Sequence, residues 1–145
     1  MYGNLGYDEL EGGGGPDALF AYQEPTDFFF DTQISVADTA GSVLRGGNGN
    51  DFIFGSAGHD DLFGGNGHDE LWGFQGQDLI EAGNGNDLIL PGGGLDQVFG
   101  EAGDDIAVIH TNGSTHMGDG FDRCFLVDST IASALSCEES SVIGG

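Results

Sequence analysis

A nine-residue repeat constrains this chain more than any other feature. From Gly46 to Val108 the sequence divides into seven consecutive units of nine residues without an insertion: GGNGNDFIF, GSAGHDDLF, GGNGHDELW, GFQGQDLIE, AGNGNDLIL, PGGGLDQVF and GEAGDDIAV. Position four is glycine and position six is aspartate in every unit, and position eight is apolar. A fixed period of this kind indicates a repeat architecture in which stacked units share one core.

A second, shorter block of repeats lies near the N-terminus. Residues 3–11 and 12–20 fit the same template, and residues 21–30 fit it with one inserted residue. Residues 31–45 lose the pattern, and residues 109–145 lose it again. We therefore predict a short N-terminal block at 1–30, a connection at 31–45, a main seven-repeat block at 46–108 and a capping segment at 109–145. The sequence leaves open whether residues 1–45 continue the same solenoid.

Each repeat combines a tight turn with a short strand. Glycine supplies positive φ angles in the first six residues, and asparagine tolerates the left-handed conformation there. Positions seven to nine favour Ile, Phe, Leu and Trp, which suit strands. Two repeats make one coil, so equivalent residues recur every 18 positions on parallel strands about 4.8 Å apart. The predicted fold is all-β: a right-handed parallel β-roll, or two-sheet solenoid, with a non-repeat, strand-rich C-terminal cap.

Stacking places position-six aspartates beside one another. Like charges on neighbouring strands are destabilising, and a hard divalent cation between successive coils resolves the conflict. Calcium takes six to eight oxygens, both carboxylate and carbonyl, whereas magnesium demands a regular octahedron and keeps its waters. The alternative is that each aspartate caps its own turn through an Asx-type hydrogen bond; ten aspartates at one repeat position favour calcium.

The predicted calcium ligands are the position-six carboxylates together with oxygens of the glycine-rich turns. The main block offers five stacked pairs, 51/69, 69/87, 87/105, 60/78 and 78/96, so about five or more ions are expected. The carboxylate candidates are Asp51, Asp69, Asp87, Asp105, Asp60, Asp78, Asp96, Asp8, Asp17 and Asp27. The turn candidates are Gly46, Asn48, Gly64, Gly65, Asn66, Gly67, Gly83 and Gly85.

Charge limits the partners of this chain. The formal net charge is −23, with only two Lys and Arg residues, which argues against nucleic acid or an anionic membrane as a partner. No apolar run approaches the ~20 residues of a membrane span, and no Sec-type signal peptide is visible. Cys124 and Cys137 both lie in the tail, where a disulfide would fit an extracellular protein; two cysteines alone leave their pairing open.

The repeats resemble the RTX (repeats-in-toxin) family of hemolysin-type calcium-binding repeats. GGNGNDFIF and GGNGHDELW match that family's motif at every defined position, and the resemblance covers residues 3–30 and 46–108. It implies a parallel β-roll with calcium bound by the position-six aspartates and turn carbonyls. It also implies type I secretion from Gram-negative bacteria, a chain unfolded at cytosolic calcium, and folding outside the cell. Several units depart from glycine at position one or two, which affects turn geometry only.

No catalytic motif is present, and we predict that the chain is not an enzyme. There is neither an HExxH zinc site nor a GxSxG nucleophile elbow, and the four histidines share no ligand spacing. Three roles remain in competition: a calcium-dependent structural and secretion-folding module, an adhesin or matrix binding module, and the non-catalytic calcium-binding part of a larger secreted hydrolase or toxin. We also expect the chain to be a segment of a longer protein.

Two further features lie outside the calcium pattern. In the tail, Asp119 and Asp122 belong to a GxGxD-like turn that offers a terminal ion site. Positions seven and nine on one side of the roll form an apolar face, and large apolar patches usually mark contacts. We expect a protein or self contact there through Phe52, Phe54, Trp72 and Leu90; the alternative is that position nine turns inward and enlarges the core. The full apolar face is Phe52, Phe54, Trp72, Leu88, Leu90, Ile106 and Val108.

Overall fold

The computed structural model describes residues 1–3, 7–21, 39–110, 113–127, 135–137 and 139–142. These residues form short β-strands joined by turns, and none of them lies in a helix that is long and apolar enough to cross a membrane. The strands are β1 (Glu9–Gly14), β2 (Ala18–Phe20), β3 (Val43–Asn48), β4 (Phe52–Phe54), β5 (Asp61–Asn66), β6 (Glu70–Trp72), β7 (Gln75–Gly76), β8 (Leu79–Asn84), β9 (Leu88–Gly94), β10 (Gln97–Ala102), β11 (Ile106–Ile109), β12 (Ser114–His116), β13 (Arg123–Leu126), β14 (Leu135–Ser136) and β15 (Glu139–Val142).

The strands stack into two parallel sheets. Sheet I has the order β1-β3-β5-β8-β10-β12-β14, and sheet II has the order β15-β13-β11-β9-β6-β4-β2, with β7 paired to β9 beside it. Through the main block each residue pairs with the residue 18 positions further on, as Leu44 does with Leu62 and Leu62 with Ile80. This alternation of sheets is the predicted two-sheet solenoid, and it confirms the all-β parallel β-roll.

Position eight of each repeat forms the core. Ile53, Leu62, Leu71, Ile80 and Ile89 are all fully buried, because alternate residues of each short strand point between the two sheets. The same core extends to Leu19 at one end and to Ala107 and Cys124 at the other. Each strand contributes only one or two side chains to this thin core, so a single coil buries too little to be stable by itself.

The N-terminal block belongs to the same roll as the main block. Strand β1 pairs in parallel with β3, and β2 pairs with β4, so that Leu10 lies beside Leu44 and Leu19 beside Ile53. The question that the sequence left open is therefore answered for residues 7–21, which form the coil next to the main block. Val43, Leu44 and Arg45, which the repeat pattern places in the connection, form the first half of β3.

The tail also continues both sheets. Strands β12 and β14 extend sheet I, and β13 and β15 extend sheet II, each in parallel pairing. Cys124 and Cys137 form a disulfide, with their Cα atoms 6.1 Å apart, which is within the usual range. Since Cys124 occupies the core of sheet II, this disulfide ties the last coils of the roll together.

Candidate metal sites between the coils

The position-six aspartates are buried, although carboxylates are rarely buried without a partner. In the main block their exposed fractions lie between 0% and 3%. Each follows a glycine-rich turn and precedes a short strand, so the backbone fixes it at the corner where one sheet passes to the other. The roll has two such corners per coil and therefore two rows of aspartates along its length.

We name these rows by the turns that carry them. The first edge contains the turns from sheet I to sheet II, with Asp17, Asp51, Asp69, Asp87, Asp105 and Asp122 at position six. The second edge contains the turns from sheet II to sheet I, with Asp8, Ser42, Asp60, Asp78, Asp96 and Gly113 at the equivalent place. The five stacked pairs predicted from the sequence lie together on these edges, three on the first and two on the second.

One oxygen of each carboxylate belongs to a hydrogen-bond ladder along its edge. The backbone N–H of Asp51 donates to Oδ1 of Asp69 (2.8 Å), and the N–H of Asp69 donates to Oδ1 of Asp87 (2.8 Å). On the second edge the N–H of Asp60 donates to Oδ1 of Asp78 at 2.9 Å. Oδ1 of each of these aspartates thus accepts a hydrogen bond from the coil before it.

The second oxygen of most of these carboxylates has no hydrogen-bond donor. Six Oδ2 atoms are buried and unpaired among the described residues, those of Asp51, Asp69, Asp78, Asp87, Asp96 and Asp105. A buried polar atom without a partner costs roughly 1–3 kcal/mol, and more when it is charged. Six such atoms at equivalent positions indicate that a ligand completes each corner.

Backbone carbonyls of the next coil converge on the same points. A Cβ added to Gly46 would lie within 3 Å of both Oδ2 of Asp51 and the carbonyl oxygen of Gly64. The same pairing recurs at Gly73, with Asp78 and Pro91, and at Gly100, with Asp105 and Met117. Two oxygens of like partial charge therefore face one small volume between successive coils.

Burial raises the pKa of these aspartates. It raises the pKa of Asp69 to about 6 and that of Asp105 to about 7, with the neighbouring carboxylates of the same edge adding to the effect. On the second edge burial, together with the carboxylates of Asp60 and Asp96, raises the pKa of Asp78 to about 8. The pKa values of Asp51, Asp87 and Asp96 are also raised by burial. The charged form of each carboxylate is thus unfavourable here unless a cation accompanies it.

The oxygens at each corner fit a hard cation. The described residues contain no group of three or more His, Cys, Asp or Glu side chains, so a site built from side chains alone is not present there. The corners offer carboxylate oxygens together with backbone carbonyls, and this all-oxygen donor set is the one that calcium takes. Soft metals that prefer thiolate or imidazole find no such ligands at these corners.

The two edges differ at Asp60. Its Oδ2 accepts a hydrogen bond from the backbone N–H of Ser56 at 2.6 Å and one from Ser56 Oγ at 3.0 Å. Ser42 precedes it on the edge and donates its backbone N–H to Oδ1 of Asp60 at 2.7 Å, but it brings no carboxylate. Asp60 is therefore stabilised within the protein, whereas Asp69 has a carboxylate neighbour on both sides and an unpaired oxygen.

The turn residues predicted as ligands have distinct places. Gly46 and Gly64 contribute the carbonyls that face Oδ2 of Asp17 and Asp51, respectively. The asparagine side chains of Asn48 and Asn66 are exposed and hydrogen-bonded to each other, Nδ2 of Asn66 donating to Oδ1 of Asn48 at 2.9 Å. Positive φ angles are found at the remaining turn candidates, Gly65, Gly67, Gly83 and Gly85.

The terminal aspartates vary in their burial. Asp8 and Asp17 are half-buried, and Asp27 lies outside the described residues. The N–H of Asp17 donates to Oδ1 of Asp51 at 2.7 Å, which continues the first edge into the N-terminal block. In the tail Asp122 accepts from the N–H of Asp105 at 3.0 Å, whereas Asp119 is exposed at position three of its turn.

The histidines of the repeats act as turn residues in the structure. His59 Nδ1 accepts the backbone N–H of Gln77 at 2.8 Å, and His68 Nδ1 accepts that of Asn86 at 2.8 Å. Asn50 plays the same part at the same repeat position, because its Oδ1 accepts the N–H of His68. Both histidines are exposed and lie on different edges, so they form no common ligand set.

The family model of the RTX calcium-binding nonapeptide repeat matches this chain in four copies. The matches cover residues 1–23, 39–71 and 72–107, which together exceed half of the chain. The chain belongs to the RTX calcium-binding repeat family. Its repeats are therefore calcium-binding repeats in a β-solenoid. Searches of curated proteins and of solved structures gave no significant match.

Two units of this RTX roll lie outside the repeats counted from the sequence. Ser42 takes the place of the position-six aspartate ahead of β3. Asp122, which the sequence marked as part of a terminal turn, holds position six of a further unit with Cys124 at position eight. The second unit is also displaced, because Asp122 follows Asp105 by 17 residues and not by 18. A search that allowed one deletion and a polar residue at position six would have found both.

Proposed function

We propose that this chain is a calcium-dependent folding module of an exported protein. It remains unfolded at the low calcium of the cytosol, passes through a type I exporter of a Gram-negative cell, and folds outside around its calcium ions. The single observation that carries this proposal is the set of six buried, unpaired Oδ2 atoms at equivalent corners. The role is structural and not catalytic.

Electrostatic repulsion keeps the chain unfolded when calcium is absent. The formal net charge is −23, and each edge stacks carboxylates on neighbouring strands, where like charges oppose folding. Calcium ions at the corners neutralise this charge and link successive coils. Metal binding then contributes directly to the free energy of folding, because the coils form no site while the chain is unfolded.

The proposed ligands are the position-six carboxylates and the position-one carbonyls of the next coil. Asp51, Asp69, Asp87 and Asp105 would each hold an ion on the first edge. Asp78 and Asp96 would each hold one on the second, which gives six ions, one for each unpaired oxygen. Calcium is favoured over magnesium, since the irregular corners suit its flexible coordination of six to eight oxygens.

The disulfide supports an extracellular location. Disulfides persist in oxidising compartments and are rare in reducing cytosol. The bridge between Cys124 and Cys137 lies at the C-terminal end of the roll, where the repeats become irregular. We infer that the roll folds and oxidises after export, with the disulfide closing the end that calcium stabilises least.

A binding module is the second candidate function, and the apolar face favours it. Phe52 is 48% exposed, and Phe54, Trp72 and Leu90 are half-buried outside the main core. Among the described residues the N-terminal block and the tail extend the sheets and do not cover this face. A contact with a second copy of the chain or with another protein would bury this face. Sedimentation of the wild type and of Phe52→Ser in calcium would detect self-association through it.

Export and folding can be tested separately. The chain would be fused ahead of a type I secretion signal and produced in Gram-negative cells, together with a variant carrying Asp69→Asn, Asp78→Asn and Asp87→Asn. We expect both proteins to reach the medium, and only the wild type to resist protease there when calcium is present. A wild-type chain that resists protease inside the cell, before export, would contradict the proposal.

A further inference from the structure

An open groove of 410 Å³ lies at the end of an aromatic column on sheet II. Clefts of roughly 300–1,000 Å³ are the usual size of small-molecule sites. The groove lies beside the calcium edges and shares none of their aspartates. It is lined by Trp72, Phe74, Gln75, Leu90, Gly92, Gly93 and His110.

A strained phenylalanine builds one wall of the groove. Phe74 has a φ of 72°, whereas the equivalent place in other repeats is held by glycine, as at Gly65 and Gly83. The left-handed conformation is unfavourable for a bulky residue, and such strain concentrates at functional sites. The Phe74 ring centroid lies 6.4 Å from that of Phe54 and 6.0 Å from that of Trp72. These contacts hold the ring against the column.

The column itself shows how closely rings stack on this roll. The Tyr2 and Phe20 rings are 4.8 Å apart and nearly parallel, as are those of Phe20 and Phe54 at 4.9 Å. Trp72 then tilts by 34° relative to Phe54, and the next coil brings Leu90 in place of a ring. The aromatic column therefore stops at Trp72, at the mouth of the groove.

Gly92 and Gly93 lie between the coils of two aromatic rings, and the side-chain amide of Gln75 lies beside Gly93. Gly93 donates its N–H to the carbonyl of Phe74, so Phe74 lies one coil below it. Ile109 pairs with Gly92 from the coil above, and His110 follows Ile109 and lines the groove. The coils of Phe74 and His110 are thus two strand spacings apart, roughly 9.5 Å. One planar ring fits between them at stacking distances of about 4.5–7 Å on each side.

The surrounding charge selects the sign of the ligand. The chain has 25 acidic residues against two Lys and Arg, and six calcium ions at the unpaired oxygens would bring only twelve positive charges. Glu70 is not part of the groove lining, but its Oε1 accepts the indole N–H of Trp72, which is, at 2.7 Å. Cations are attracted to aromatic faces, to tryptophan most of all. An anionic ligand would meet repulsion at the same place.

We propose that this groove binds a small planar aromatic cation, stacked between Phe74 and His110 above Gly92 and Gly93 and in contact with Trp72. The groove supplies the space, the two rings supply the stacking surfaces, and the excess of acidic residues in the chain attracts the positive charge. This site is independent of the calcium corners and requires only that the roll is folded.

Trp72 is the only tryptophan of the chain, so its fluorescence reports directly on the groove. The calcium-loaded protein would be titrated with N-methylquinolinium, with the anion 1-naphthoate, and with cyclohexyltrimethylammonium as a non-planar cation. We expect saturable quenching by N-methylquinolinium and at least tenfold weaker binding of the other two. Linear quenching without saturation, or equal binding of the three probes, would overturn the proposal.

Substitutions test the walls. Phe74→Gly restores the residue that the turn prefers and removes one ring, and His110→Ala removes the other from an exposed position. Glu101→Gly is the matched control, because Glu101 has a similar φ of 74° and lies outside the groove lining. We expect at least a tenfold loss of affinity in the first two variants and none in the control. Unchanged affinity in His110→Ala, or in a Phe74→Gly protein whose circular dichroism shows it folded, would refute stacking.

Discussion

The two edges of the roll have the same turn design but different carboxylates. The first edge is continuous from Asp17 to Asp122, and each aspartate accepts a hydrogen bond from the one before it. The second edge is interrupted by Ser42 near one end and by Gly113 near the other, and Ser56 satisfies Asp60 internally. Glycine turns therefore fix the backbone geometry of every corner on both edges. Whether a corner favours a bound cation depends on whether its carboxylate has an unpaired oxygen.

The largest expected effect comes from removing a carboxylate in the middle of the first edge. Asp69→Asn in calcium should lower the free energy of unfolding by about 3 kcal/mol, since the ion loses its charged ligand in a buried site. Asp60→Asn should cost only about 1 kcal/mol, because Ser56 already serves that oxygen. Urea unfolding of both variants in excess calcium measures the difference.

The control for this pair is Asp104→Asn, which removes a charge from an exposed turn and keeps the oxygen that accepts from Phe121. Its stability in calcium should stay within about 0.5 kcal/mol of wild type. Equal losses at Asp69 and Asp60 would show that the two edges do not differ in the way described.

A smaller effect, equal on both edges, is expected from the turn glycines. Gly67 on the first edge and Gly76 on the second have φ angles of 141° and 137°, and a Cβ on either would collide with the glycine carbonyl of the preceding coil. Substitution of either by alanine should cost about 2 kcal/mol. Thermal unfolding in calcium tests this, with Gly14→Ala as the control, since a Cβ there meets no atom within 4 Å. A large inequality between the edges would contradict a shared turn design.

Restoring a carboxylate to the second edge should strengthen it. Ser42 is buried at position six, and the N–H of Asp8 already approaches its Oγ at 3.3 Å. Ser42→Asp should add about 1 kcal/mol of stability in calcium, bind one more ion, and destabilise the chain in chelator. Isothermal titration calorimetry gives the stoichiometry, and Ser42→Asn separates charge from size. An unchanged ion count would argue against a site at this corner.

The smallest effect is the response of the metal-free roll to pH. Burial raises the pKa of Asp69 to about 6, that of Asp105 to about 7 and that of Asp78 to about 8, so the folded state binds protons that the unfolded chain does not. Stability in chelator should therefore increase as pH falls from 8 towards 5, and be lost as pH rises through these values. Protons neutralise the carboxylates but do not link coils, so the recovery of β structure should be partial.

Circular dichroism in chelator at pH 8, 6.5 and 5 tests this response, with a variant carrying asparagine at Asp69, Asp78 and Asp105 as the control. The variant should show a weaker dependence on pH, since these three groups no longer titrate. A metal-free wild type that gains β structure as the pH rises would contradict the sign of the effect.

Much of the fold followed from the period alone. Position eight from Ile53 to Val98 predicted the core, and position six from Asp51 to Asp105 predicted the two rows, because a fixed period places identical residues at identical corners. Ser42 was missed because a substitution hides the period there, and Asp122 was recognised as part of a turn but not as a member of the row, because one residue is deleted before it. The pairing of Asp60 with Ser56 needed the turn conformation, and the groove beside Phe74 needed the register of β9 against β11.

The apolar face shows a second limit of pattern reasoning. Alternation along the strands identified Phe54 and Trp72 as outward-facing, but it offered only a covered face or an inward turn. The structure shows these rings half-buried by stacking on their neighbours in the column, with Phe20 from the N-terminal block continuing it. Side chains that bury one another along the stack depend on the register between coils, which a single repeat does not encode.

The central claim is that calcium ions at the corners fold this chain, and far-ultraviolet circular dichroism during a calcium titration tests it most directly. We expect a mostly unordered spectrum in chelator that becomes rich in β structure, cooperatively, as calcium reaches the range of extracellular sites, about 10⁻⁴–10⁻³ M. Magnesium at the same concentrations should leave the chain unordered. No spectral change in millimolar calcium, or an equal change in magnesium, would contradict it.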